Sequence, residues 1–304
     1  MSMRSLKNSP RLGIFCVLAA GVLWGSMGVF VRFLGNAGLA APDITQLRVT
    51  VGLLTVAAYL LIFRRDLLRV RLRDLWCFFG TGVVSLLFFS TCYFKAMEYV
   101  SLSTAAILLY TAPVFVMLMS LLLFRERMTP AKLSALVLSL AGCVLVSGIG
   151  GGMDSPAGIA FGLASGFFYA LYSIFSRYAI RRGYTSLTVV LYTFLFCAVG
   201  CIPLTNWRSV GQVLCSGAAN VWLCVALGVV TGFLPYVLYA KGLERMESSK
   251  AAIIASVEPV VGTLFGVLLF HEPLTLLGAL GVLLVLSAIL LLSLPQRFGG
   301  GREE

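Results

Sequence analysis

The fold class the sequence predicts is an all-α integral membrane protein. It has ten transmembrane helices arranged as two inverted five-helix repeats, with the N- and C-termini both cytoplasmic. Three observations predict it: ten apolar runs of spanning length, a self-match at a fixed offset, and a basic-residue bias that changes sign between the two copies.

The apolar runs come first. Of 304 residues, 60% are hydrophobic and 12% charged, and the mean hydropathy is +0.98. Soluble domains carry about a quarter charged residues. The charges here collect in short clusters between runs such as Val49–Phe63 and Ala279–Leu294. Runs fall at 12–34, 44–63, 74–96, 101–124, 131–149, 157–179, 186–205, 219–240, 249–270 and 275–294. At about 1.5 Å per residue each crosses a hydrocarbon core of about 30 Å. Arg4, Lys7 and Arg11 before the first run superficially suggest a signal peptide. That run continues through Trp24 to Phe33 with no small-residue cleavage site after a short core, so it is a permanent span. The ten spans use nearly the whole chain and leave no room for a soluble catalytic domain.

Charge placement gives the orientation. With the N-terminus cytoplasmic, 19 of the 23 Lys and Arg residues fall on inside segments. These include Arg64 to Arg73, Arg125 to Lys132, Arg177 to Arg182 and Lys241 to Lys250. The outside loops keep Lys95 and Arg208, while Arg32 and Arg48 lie near or within the ends of spans. Positive charge on the cytoplasmic side is the rule for membrane proteins. A nucleic-acid surface would instead gather the net charge of +11 on one solvated face, so no nucleic-acid partner is expected. The eight cysteines form no C-x-x-C pair and read as small membrane-core residues, although Cys197 and Cys201, one helical turn apart, can approach each other. No metal site and no cofactor are expected.

The repeat is the third observation. At an offset of 146, Tyr93–Thr129 lies on Tyr239–Thr275 without a gap and with 15 identities in 37 positions. Shared hydrophobicity accounts for matched leucines. It does not account for Lys95/Lys241, Glu98/Glu244, Pro113/Pro259 and Glu126/Glu272 at fixed spacing. At an offset of 145, Phe30 and Arg32 lie on Phe175 and Arg177. The units are 1–149 and 150–304, joined by the glycine-rich link Gly148–Gly152. Five spans is an odd number, so the second unit is inverted. The loop charges agree: Arg125, Arg127 and Lys132 follow span 4, but only His271 follows span 9, and the bias reverses at the loops after spans 3 and 8. Inverted repeats of this kind build secondary transporters with a site near the midplane.

Together these features resemble the drug/metabolite transporter superfamily, specifically its EamA-like family. The residues that carry the resemblance are Trp24-Gly25, Arg48, Ala105-Ala106, Pro113 and Phe124 to Thr129. In the second unit they are Ala251-Ala252, Glu258-Pro259 and Phe270 to Thr275. The resemblance covers nearly the whole chain and implies export of small metabolites, often amino acids or related compounds, across a bacterial inner membrane without ATP. It does not fix the substrate. The first unit departs from the second at Ala112, where Glu258 has no counterpart.

Glu258 is the sharpest candidate for chemistry. It lies about nine residues into its span, about 14 Å deep, where a carboxyl must face the bundle interior, be protonated or be paired. It suits exchange of protons with substrate. The structural alternative is satisfaction of a backbone group freed by Pro259. Arg48 is the second intramembrane charge, either snorkelling to the surface or clamping a substrate carboxylate. A zwitterionic amino acid fits between the two if they share a cavity. Among aromatics, Trp24 and Tyr169 occupy equivalent repeat positions and are expected on the substrate pathway, with Tyr93, Tyr110 and Tyr239. Pro113, Pro235 and Pro259 are expected hinges for alternating access. Glu126 and Glu272 read as turn caps.

The function expected is secondary active or facilitative transport of small metabolites, with export of amino acids or related amine and aromatic compounds by alternating access. Its partners are the bilayer, the small-molecule substrate and protons, in a monomer or homodimer. A membrane-embedded enzyme would need paired acids for a metal or a histidine-based nucleophile system, and the chain has one His and one deep carboxylate. A non-transporting membrane subunit would need a docking domain. The sequence has no P-loop motif for direct ATP coupling.

Overall fold

In hydrocarbon every backbone N–H and C=O must be satisfied internally, so apolar runs of this length fold as helices. The computed structural model describes residues 10–148 and 155–293, all helix, turn and loop. The link at Gly148–Gly152, beyond Gly148, and the tail after Pro295 lie outside them. Ten helices are long and apolar enough to cross a membrane. They are span 1 (Arg11–Asn36), span 2 (Ala41–Phe63), span 3 (Leu72–Tyr99), span 4 (Leu102–Phe124) and span 5 (Pro130–Ser147). The second set is span 6 (Pro156–Arg181), span 7 (Ser186–Leu204), span 8 (Ala218–Leu243), span 9 (Ser248–Phe270) and span 10 (Leu276–Ser293). The chain is a multi-pass membrane protein.

Helix ends follow local chemistry. Ser101, Thr129 and Thr185 accept hydrogen bonds from the amides of Thr104, Lys132 and Thr188 and so cap spans 4, 5 and 7. Spans 4 and 9 both end on a left-handed residue, Arg125 at φ 56° and His271 at φ 54°. The next amides, of Glu126 and Glu272, then bond back to Ser120 and Gly266 at 3.2 and 3.1 Å. The two corners are thus the same turn, made once in each repeat.

Five spans are interrupted. Span 4 breaks at Tyr110 and Thr111, and span 9 at Ser256, a few residues before Pro113 and Pro259. Proline has no N–H to donate and its ring collides with the carbonyl four residues earlier, here Leu109 and Ala255. Spans 3 and 8 widen to π-helix over Gly80–Leu87 and Leu227–Phe233, and Pro235 lies at the start of the α-helix that resumes at Leu234. Span 1 breaks at Ser26 between Pro10–Gly25 and Met27–Asn36 with no proline nearby; there the Ser26 hydroxyl bonds the Leu23 carbonyl at 2.7 Å.

The packing repeats with the sequence. Span 1 runs against spans 8 and 9, and span 6 against spans 3 and 4, while spans 5 and 10 pair outside this centre. Spans 4 and 9 break the symmetry. Ala112–Phe124 packs on Ser248–Ala255, at the end of the bundle that carries most of the basic loops. Beyond the breaks, Leu102 and Leu109 of span 4 and Glu258 and Gly262 of span 9 line a cavity. The two breaks mark the vertex of that divergence.

Candidate functional site

The cavity starts at the vertex and has a volume of about 420 Å³. Its walls extend from Glu258 and Trp24 to Arg32, Ala41, Met97 and Leu102, residues at the end of the bundle away from the basic loops. It therefore opens toward that less basic face. Small-molecule sites are typically about 300–1,000 Å³ with a few placed polar groups in an apolar wall.

Glu258 is in the first turn of the helix Val257–Phe270, which resumes after the break. It is partly exposed, and its exposure is to the cavity. Tyr169 shares the cavity wall with it, and Arg48 is the cation whose charge reaches it. Span 1 approaches this turn closely because residue 25 is glycine: a Cβ there would meet the Glu258 carbonyl oxygen at 2.7 Å.

Arg48 is 4% exposed, so its side chain is held inside the bundle and does not snorkel. Nη1 donates to the Met27 sulfur at 2.9 Å. A thioether is a weak acceptor. Nε has no partner among the described residues. A buried guanidinium with no carboxylate on it is costly unless something else completes it.

Six of the seven expected pathway residues, Glu258, Arg48, Trp24, Tyr169, Tyr110 and Tyr93, line this one cavity. Tyr239 does not. It lies deeper, 5.4 Å from the Trp24 ring and bonded at 2.8 Å to the Ser173 hydroxyl. Next to it, Trp24, Tyr172 and Phe194 pack edge to face on the Tyr236 ring at centroid distances of 5.1 to 5.2 Å and form the cavity floor. The remaining space there is about 30 Å³, bordered by Tyr239 and Pro113. Met27 and Phe89 were not expected. The break at Ser26, which places Met27 on Arg48, falls on the Gly25-Ser26 pair, a kink-prone step without a proline. Phe89, 5.1 Å from Tyr169, is one phenylalanine among 21.

Below the aromatic floor the basic end is sealed. The buried Glu126 carboxylate accepts from the amides of Ser248 and Ser249 at 2.9 and 3.3 Å and from the Ser249 hydroxyl at 2.5 Å. Arg177 donates to the carbonyls of Leu243 and Met246. Lys132, 2% exposed, pairs with Glu247 at 2.7 Å. Glu126 is a cap, as expected, but one that reaches from the first repeat into the second. Cys197 and Cys201 approach to 3.9 Å as thiols. No group of three or more metal-ligating side chains occurs among the described residues.

The family model described as the EamA-like transporter family matches residues 11–148 and again 156–294. An "Uncharacterized transporter" of Archaeoglobus fulgidus is 31% identical over 282 residues, covering 92% of this chain and 96% of its own length. The "Uncharacterized inner membrane transporter YicL" of Salmonella typhimurium is 27% identical, covering 95% of this chain and 98% of its own. A solved structure titled "Crystal structure of protein" superposes with a TM-score of 0.74 at 21% identity, over 93% of this chain and 96% of that one. That likeness concerns the fold alone.

Proposed function

The chain belongs to the EamA-like transporter family, and from that premise we propose that it transports small zwitterionic metabolites, amino acids or closely related amine and aromatic compounds, by alternating access. The observation that carries the proposal is the placement of Arg48 and Glu258 on one aromatic-lined cavity at the vertex of two broken helices. Arg48 holds the substrate carboxylate in a bidentate contact of the kind a guanidinium makes best. Glu258 receives the ammonium group and exchanges protons with it. Trp24, Tyr169, Tyr110 and Tyr93 cover the side chain. Pro113, Pro259 and Pro235 leave the helices unable to stiffen through the vertex, and the bundle hinges there.

The units 1–149 and 150–304 rock against each other about this site. The basic face is cytoplasmic, the cavity opens to the outside of a bacterial-type inner membrane, and net movement is outward. One chain carries both walls of the cavity, so a monomer suffices.

Purified protein in liposomes, tested for uptake of a labelled panel of amino acids, amines and nucleobases, is the experiment. Saturable uptake of amino acids supports the proposal. Equal uptake of amines that lack a carboxylate removes the Arg48 role, and no uptake of any compound removes the transport reading.

A further inference from the structure

The repeat places the Glu126 and Arg177 contacts of the inner seal against counterparts at the open mouth. Glu126 corresponds to Glu272 and Ser249 to Ser103, both identities, and Ser248 corresponds to Leu102. Arg177 corresponds to Arg32, and Leu243 and Met246 to Met97 and Val100. At the sealed end the first set is bonded: Glu126 to the first-turn amides of span 9 and the Ser249 hydroxyl, and Arg177 to the carbonyls ending span 8.

At the open end the second set is apart. Glu272 is exposed and pairs with Arg32, which lies over the Phe270 ring at 4.3 Å. Arg32, Met97 and Leu102 border the cavity mouth. The corner that presents Glu272 has the same left-handed turn and the same back-bond as the corner that presents Glu126. Span 4 begins with first-turn amides that need an acceptor, as every helix does. The Thr104 amide donates to Ser101, and Leu102 and Ser103 hold the positions of Ser248 and Ser249 of span 9, whose amides donate to Glu126.

We propose that Glu272, Arg32 and Ser103 are the outer gate. When the outer mouth closes, the Glu272 carboxylate leaves Arg32 and accepts from the amides of Leu102 and Ser103 and the Ser103 hydroxyl. Arg32 turns to the carbonyls of Met97 and Val100. The Arg32–Glu272 pair is the parked form of the gate. In the same transition the Glu126 seal opens, so each carboxylate is bonded to a helix start in one state and released in the other. The proposal rests on alternating access. It does not depend on which substrate is carried.

The test uses the full chain with Cys215, the exposed native cysteine, changed to Ser. Two pairs are introduced separately: Glu272→Cys with Ser103→Cys, and Arg32→Cys with Met97→Cys. None of these positions is fully buried, so folding is preserved. Each is treated in membranes with a bis-methanethiosulfonate linker no longer than a glutamate side chain. Both pairs bridge within one chain, the single-cysteine variants do not, and bridging abolishes uptake. Failure of the Glu272/Ser103 pair to bridge in folded protein overturns the gate, whatever the uptake panel shows. Bridging in a chain that carries no compound of the panel sustains the gate and removes the substrate assignment instead.

Discussion

Arg48 and Glu258 come from different repeats and line the same cavity, yet no ion pair joins them among the described residues. A guanidinium and a carboxyl that share a low-dielectric space without closing on each other leave two opposite charges for a guest to complete. A guest with one of each is the complement.

Arg48→Gln removes the charge and the fork and keeps a side chain that can still pack on Met27. Uptake of amino acids falls in apparent affinity by about ten- to a hundredfold, the worth of one charge-assisted contact of about 1.5–3 kcal/mol. Arg48→Lys recovers only part of it, because an ammonium cannot bond both carboxylate oxygens in one plane. Concentration-dependent uptake in liposomes checks both.

Glu258→Gln is nearly isosteric and cannot ionise. Wild-type uptake varies with pH through the titration of this carboxyl, and the variant's uptake is flat over the same range. The measurement is initial rate against pH on matched liposomes; full activity with an unchanged profile contradicts the proton role.

Glu126→Ala strips the acceptor from two amides and a hydroxyl at the start of span 9. Stability of the state seen here falls by about 1–3 kcal/mol, the cost of leaving buried donors unsatisfied. Thermal unfolding in detergent reads the loss.

Gly142→Ala is destabilising for a different reason. A Cβ at residue 142 would meet the Gly281 carbonyl oxygen at 2.8 Å, and one at residue 281 would meet the Gly142 carbonyl oxygen at 2.7 Å. These are backbone atoms on paired spans 5 and 10 and cannot swing aside. The cost is about 1–3 kcal/mol of overpacking. A lowered melting temperature with the substrate preference intact is expected, because this contact is outside the cavity.

The parts of this molecule that are written in local chemistry were legible in the sequence. The spans follow from hydrophobic length, the breaks in spans 4 and 9 from Pro113 and Pro259, and the twin corners from the repeat itself. Arg48 shows where this stops. It lies in the polar first turns of its span, with Asp43, Thr45, Gln46 and Thr50, close enough to the outer end that the sequence admits both snorkelling and burial. The separation of Tyr239 from the cavity is settled by tertiary packing alone. The inner seal was half legible: Glu126 reads as a cap from its corner, but its acceptor role on Ser248 and Ser249 is a contact over more than a hundred residues.

The most direct measurement compares an amino acid with the amine obtained by removing its carboxylate, each titrated against the purified protein with thermal stability as readout, since a ligand of the folded state raises it. Expected are concentration-dependent stabilisation by the amino acid, at least about tenfold weaker apparent affinity for the amine, and loss of that difference in Arg48→Gln. Equal stabilisation by both compounds in the wild-type protein would contradict the role of Arg48.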